Sequence, residues 1–338
     1  MSVYAAIDLH SNNSVLAVLD ETDRVLRQRR LPNELPAILR ELEPFHEELA
    51  GVVVESTYNW YWLVDGLMAH GYRVHLAHTS AVPQYAGLKH GDDESDARHL
   101  AHLLRLGILP EGYIYPRAQR SVRDLLRRRF GLVRTATRLL LSVQSSWARH
   151  TGKSLSANAF RQLDDLSIEA ALPDPIVRLS VLTQIKVWQG IQEQVRQMEK
   201  WVSESAACRR ELIALRSIPG VGVTLSTTIA LETGDVTRFA AVGDYASYCR
   251  MVKSERLSNG KRKGAGNRKS GNKYLAWAYI EAATFALRFS PEIKRWYTRK
   301  CGKRHKVSAL KAVAHKLARV CFYLLRDGGQ FDVRRAFG

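Results

Sequence analysis

Short apolar runs separated by polar turns open the chain. Val3 to Leu9 and Ser14 to Asp20 flank the polar stretch His10 to Asn13, and Val25 to Leu31 alternates with period two. That pattern predicts three strands in an antiparallel meander. Helical spacing follows over Asn33 to Phe45, then a β-branched run from Gly51 to Glu55, helical spacing over Trp60 to His70, and a strand pattern from Tyr72 to His78. Three strands followed by alternating helix and strand is the element order of an RNase H-like α/β domain.

The texture changes at Arg117. From there to His150 the spacing is helical with few breakers, and nine arginines (117, 120, 123, 127, 128, 129, 134, 138 and 149) stand against one acid, Asp124. A linker is expected over Gly152 to Asp165. Pro175 to Leu215 then gives a second long helical pattern with proline at its start, where a helix tolerates it. The two predict a coiled-coil-like helical hairpin, a basic arm in one reading and a solvated spacer in the other. Leu215 to Glu232 places Gly220-Val221-Gly222 between helical segments. That spacing resembles a helix-hairpin-helix, whose backbone N–H groups can meet a phosphate, and it equally suits a plain turn. From Asp244 onward the pattern is helical, interrupted at Arg250 to Asn272. The expected fold is therefore α/β plus α, with domains at 1–115, 116–212 and 213–338.

Charge narrows the partners. The 338 residues carry 51 Lys plus Arg against 33 Asp plus Glu, a formal +18, which favours a polyanion, with nucleic acid ahead of a membrane surface. No run reaches the roughly 18 apolar residues needed to span a bilayer. The opening MSVYAAIDLH lacks the plan of a secretory signal, so a cytoplasmic protein, nucleoid-associated when bound to DNA, is expected. Cys208, Cys249, Cys301 and Cys321 are widely spaced, suggesting reduced thiols rather than a zinc site or disulfides.

Four acids form a candidate constellation. Asp8 lies near the end of the first predicted strand, Glu55 ends the fourth, and Asp93 and Asp96 are three apart at the start of a helical run. Taken singly, each reads as a strand-end or helix-start acid. Their joint order points to one cluster, and clustered carboxylates demand a cation, Mg²⁺ or Mn²⁺. Such a site can polarise a phosphodiester. His10, His99 and His102 lie nearby in sequence and are left out of the expected site.

The interrupting segment, Lys253 to Tyr274, carries eight basic residues against Glu255, with glycines at 260, 264, 266 and 271 that allow close approach to a phosphate. It reads either as a DNA-gripping loop or as the home of a nucleophile, for which Ser254, Ser258 and Ser270 are chemically equal candidates.

AIDLH, VVVEST, DDESDARHLAHL, SIPGVGVTLS and SERLSNGKRKGAGNRKSGNKYLAWAYIEAA together resemble the DEDD-type insertion-sequence transposases, the bridge-RNA-guided serine recombinases that include related DNA invertases. The resemblance runs over nearly the whole length and implies a RuvC-like metal site at Asp8, Glu55, Asp93 and Asp96. It also singles out Ser258 as the nucleophile, although Asn259 stands where many members carry glycine. Donor and target DNA, an element-encoded guide RNA and a homodimer or homotetramer are implied with it. Expected nucleic-acid contacts are Arg120, Arg123, Arg127, Arg128 and Arg134 of the arm, Gly220 and Gly222 of the turn, and Lys261, Arg262, Lys263, Arg268, Lys269 and Lys273. The competing readings are a junction-resolving nuclease that uses the four acids alone, and a nucleic-acid binder without catalysis.

Overall fold

Alternation along the first strands gives one sheet two differently covered faces. The computed structural model describes residues 2–82, 93–206, 210–252, 255–265, 270–302 and 305–338, which divide into two compact units, 1–117 and 118–338. In the first unit β1 (Val3–Leu9), β2 (Asn13–Leu19), β3 (Val25–Pro32), β4 (Leu49–Glu55), β5 (Val74–Ala77) and β6 (Glu111–Gly112) form a mixed sheet of order β3-β2-β1-β4-β5-β6. The β1–β2 and β2–β3 pairs are antiparallel, β1–β4 and β4–β5 are parallel, and β6 runs antiparallel to β5. This topology is compatible with a RuvC-like domain.

Parity decides which face each strand residue covers. Val3, Ala5, Ile7 and Leu9 of β1, with Val52 and Val54 of β4, pack against α1 (Leu35–Leu42) and α2 (Tyr61–Ala69) through Ile38, Leu42, Leu63 and Leu67. The opposite face presents small residues. Ala6, Ala17, Val53 and Ala77 meet Ala97, Leu100 and Ala101 of α3 (Asp93–Arg105), so that helix lies close over β1 and β2.

The second unit is mostly helical. α4 (Arg117–Thr151) leads through α5 (Ala157–Arg161) and α6 (Asp165–Ala171) to α7 (Pro175–Ala206). The region expected as a linker thus holds one short helix, α5, and ends where α6 begins. Phe160, Ile168 and Leu172 give them a core against Val143 of α4 and Val181 and Ile185 of α7. Val143 lies near Ile185, Arg129 pairs with Glu199, and Leu126 lies near Val202, so α4 and α7 run antiparallel.

The remaining helices, α8 (Arg210–Arg216), α9 (Val223–Thr233), α10 (Val242–Tyr248), α11 (Lys273–Phe289), α12 (Pro291–Cys301), α13 (Lys306–Asp327) and α14 (Val333–Phe337), share one core. The apolar stripe Leu275, Ala278, Tyr279, Ala282, Ala283 and Ala286 of α11 faces Val313, Ala314, Leu317 and Cys321 of α13. Cys249, Cys301 and Cys321 are free thiols, and Cys208 lies outside the described residues. Among the described residues no helix is long and apolar enough to cross a membrane.

Arg250 to Asn272 is not a plain loop. Its described part folds as a hairpin of β7 (Glu255–Ser258) and β8 (Lys261–Ala265), with Ser258 paired to Lys261 across a two-residue turn. Asn259 and Gly260 take φ +49° and +68°, the left-handed pair that such a turn requires.

Candidate functional site

Strand register brings the first two acids together. β1 and β4 are parallel with Ile7 beside Val54, so one position further on Asp8 and Glu55 are neighbours. Both share the parity of Ala6 and Val53 and therefore face α3. On α3, Asp93 and Asp96 precede Ala97 and Leu100 by four residues each, continuing the buried stripe beyond its apolar end. Asp8, Glu55 and Asp93 thus lie toward one edge of the α3 face, and Asp96 is exposed but near enough to act on Glu55 by its charge.

Their electrostatics are those of crowded like charges. Asp8 is only 4% exposed. Burial, a hydrogen bond with Asp8 and the charges of Asp8 and Asp96 push the Glu55 carboxyl up to about 8. Asp93 is lowered instead, because the Arg30 guanidinium hydrogen-bonds it at 2.7 Å and His10 adds positive potential. Its other neighbour, His10, was not among the expected site residues. His10 Nε2 lies 3.3 Å from an oxygen of Asp8 and 3.3 Å from one of Asp93, yet is buried with no well-angled hydrogen bond. Ligand atoms of Asp8, His10 and Asp93 all fall within 4.8 Å of one another.

The chain after β1 is pinned from two sides. The side-chain amides of Asn33 and Asn59 each donate to the His10 carbonyl at 3.0 Å, and Ser14 Oγ donates to Asn33. Sequence reading missed Arg30, Asn33 and Asn59, for they act through contacts that no spacing rule encodes. His102 is structural: it meets Asp23, which Arg105 also holds.

A cluster of carboxyl oxygens with one imidazole suits a hard divalent cation, Mg²⁺ or Mn²⁺. The raised Glu55 carboxyl and the position of His10 Nε2 between Asp8 and Asp93 fit residues that could hold such an ion.

The arm departs from expectation. Arg120 and Arg123 are 4% and 6% exposed, turned into the fold rather than toward a phosphate. Arg127 binds both oxygens of Glu232 in α9, at 2.6 and 2.8 Å, and Arg123 reaches the same carboxylate at 3.3 Å. Asn272 Nδ2 completes the shell at 2.7 Å. Glu232 is 2% exposed. Burial raises its carboxyl, and the Arg127 hydrogen bonds with the charges of Arg123 and Arg127 outweigh that and lower it. The expected nucleic-acid contacts at Arg120 and Arg123 are corrected accordingly: a buried guanidinium needs a partner inside the fold, and Glu232 supplies it to Arg123. Arg127 stays partly exposed while it holds the same carboxylate. Arg128 and Arg134 remain exposed.

Around the hairpin, Ser258, Lys261 and Lys263 are exposed, and Lys273 begins α11 with its ammonium 5.1 Å from the Tyr274 ring. Arg262 has its backbone in β8, while Arg268 and Lys269 lie outside the described residues, as does Ser254. Gly271 makes its close approach to protein: a Cβ there would sit 2.5 Å from the Tyr248 carbonyl. Gly220 likewise lies against Phe285, and Gly222 is the N-cap of α9.

Two family models match the chain. One, described as a transposase of the IS110 DEDD type, covers residues 5–146, and one described as the IS116/IS110/IS902 transposase family covers 213–298. A Streptomyces coelicolor protein described as an uncharacterized 43.6 kDa protein of insertion element IS110 is 28% identical over 151 residues, 44% of this chain and 37% of that protein. The transposase for insertion sequence element IS1328 of Yersinia enterocolitica is 24% identical over 177 residues, 51% of this chain and 52% of that one. The matches span about half or less of these curated relatives.

Proposed function

We propose, for a chain that groups by sequence with the IS110-type DEDD transposases, that it cuts and rejoins DNA to move an insertion sequence. The observation that carries this reading is the convergence of Asp8, Glu55, Asp93 and Asp96 on one edge of the sheet, with Glu55 pushed to about 8 by its neighbours. A divalent cation bound there supplies Lewis-acid polarisation of phosphodiester oxygens. Asp8 and Glu55, fixed by strand register, set where the cation is held, and Arg30 and His10 keep Asp93 ionised beside them.

Ser258 supplies the nucleophile. Its hydroxyl is exposed at the tip of the hairpin, opposite Lys261, where cations favour a developing alkoxide. The Ser258 oxygen attacks the scissile phosphorus, the bond to one sugar oxygen breaks, and that oxygen leaves as a hydroxyl with the serine proton. Rejoining reverses the step, a sugar hydroxyl displacing Ser258 from the phosphoserine link. The partners are donor and target DNA and an element-encoded guide RNA that pairs with both, held by a dimer or tetramer. A formal charge of +18 suits a protein that holds several polyanions.

Denaturing gels of the full chain, incubated with the DNA that flanks its reading frame, the RNA transcribed from that flank and Mg²⁺, test the assignment. A covalent protein–DNA band present in the unmodified chain and absent from Ser258→Ala is expected. A band that persists in Ser258→Ala removes Ser258 from the reaction, and cleavage with no covalent band assigns the chemistry to the four acids alone.

A further inference from the structure

The last 48 residues, 291–338, carry 13 Lys plus Arg against 3 Asp plus Glu, a net +10 of the chain's +18. Most of this stretch lies beyond the residues matched by the transposase family models, and neither the acid cluster nor the hairpin uses it. Its three acids are already engaged. Glu292 meets Arg295 and accepts from the Ser290 hydroxyl, Asp327 pairs with Arg326 at 2.7 Å, and Asp332 caps α14 by accepting from the Arg334 and Arg335 amides.

The cations crowd one another instead. Lys300 of α12 and Lys316 of α13 sit 5.1 and 5.3 Å from the same Trp296 ring, and Lys316 is 5.3 Å from Phe337. Burial and the charges of Lys300 and Arg319 hold the Lys316 ammonium below its ordinary range. Burial and Arg319 do the same to His315. Asp327 and Asp332 offset part of this field, and the cations that remain in excess favour a ligand that brings negative charge.

Aromatic surface is set among these cations. On α13, Lys316, Arg319, Tyr323 and Arg326 follow at helical spacing along one face, and Arg319, Tyr323 and Arg326 are exposed, Tyr323 at 43%. That face borders a cleft of about 750 Å³, closed on its far side by the chain after α13; Lys316, Arg319, Tyr323 and Arg335 line it, together with Asp327 and Asp332. Cations that follow a phosphate chain, with an exposed ring between them, form the usual stacking platform for unpaired bases. A duplex keeps its base faces stacked inside, so it can use the cations and not the ring.

We infer that the cleft between α13 and the C-terminal segment binds an unpaired polynucleotide strand, with phosphates at Lys316, Arg319 and Arg335 and a base on Tyr323. The site adds to the proposed chemistry a place for a strand that is not base-paired, separate in sequence from Ser258 and from the four acids.

Fluorescence anisotropy of the full chain in metal-free buffer, with short labelled single-stranded DNA, single-stranded RNA and duplex DNA, tests it. Without divalent metal the result is independent of whether the acid cluster cleaves DNA. Tyr323→Ala should weaken single-strand binding about tenfold while duplex binding stays within about twofold, and Tyr323→Phe should restore it. Arg319→Gln combined with Arg335→Gln should flatten the single-strand salt slope by about 1.4, two phosphate contacts' worth. The pair Lys186→Gln and Lys200→Gln on α7, equal in charge change, should leave the ratio of strand to duplex affinity unchanged. A preference for RNA or DNA in the unmodified chain identifies the strand. No loss in Tyr323→Ala, an equal loss for strand and duplex, or the same loss of ratio in the α7 pair overturns the proposal.

Discussion

Two glutamates, half-buried Glu55 in one unit and fully buried Glu232 in the other, show opposite solutions to the same problem. Glu55 ends β4 among other carboxyls, and burial with the Asp8 and Asp96 charges drives it up to about 8. Glu232 is more deeply buried in α9 and is lowered, because Arg123, Arg127 and Asn272 surround it. A buried acid with its own internal cations holds the fold together. An acid crowded by other acids is pushed toward its protonated form, and a cation placed among them would reverse that shift.

The comparison breaks most visibly at Asp8. Asp8→Asn should lower metal-dependent DNA cleavage by about a thousandfold, the several kcal/mol that a positioned cation supplies, while metal-free melting of the chain stays at or above that of the unmodified protein, since one repelling charge is gone. An intact cleavage rate would place the acids outside the chemistry. Glu232→Ala should behave in the opposite way, costing about 3–5 kcal/mol in urea unfolding because Arg123 is left buried without its partner.

The sign of the pH dependence sharpens this. Glu232 is lowered in the fold, so its contribution is fully present above the ordinary carboxyl range near pH 4.5 and is lost as pH falls through its folded value. The stability gap between the unmodified chain and Glu232→Gln should therefore be flat at neutral pH and close below about pH 4.5. A gap that widens in acid would contradict the pairing. The smallest effect belongs to Asn272→Ala, which removes the cap of α11 and one donor to Glu232, for about 1–2 kcal/mol by thermal unfolding.

The two glutamates also differ in how far the sequence reveals them. The strand runs predicted for the first unit fall within two residues of the observed β1 to β5, because strands covered on both faces read as short unbroken apolar runs, as Val3–Leu9 and Leu49–Glu55 do. The same parity carries Asp8 and Glu55 to the α3 face, and the four-residue offset from Ala97 and Leu100 carries Asp93 and Asp96 there too. His10 and its pinning amides were not legible, since Asn33 and Asn59 reach it from 23 and 49 positions away.

In the second unit the arginines of α4 divide between the fold and the surface. Arg120, Arg123 and Arg127 lie three and four apart, the spacing of one helix face, which is buried at Arg120 and Arg123 and partly exposed at Arg127. Glu232, the partner of Arg123 and Arg127, lies 105 positions beyond Arg127, which no local pattern supplies. The hairpin had a local signal, Asn259-Gly260 between short runs, masked by the density of Lys and Arg around it.

Titration of the metal-free full chain with Mn²⁺, followed by calorimetry, tests the central claim most directly. We predict saturable binding that is lost in Asp8→Asn and in Glu55→Gln and retained in Glu232→Gln. Absence of saturable binding in the unmodified chain, or binding that survives the loss of Asp8, would contradict the assignment of this acid cluster as a cation site.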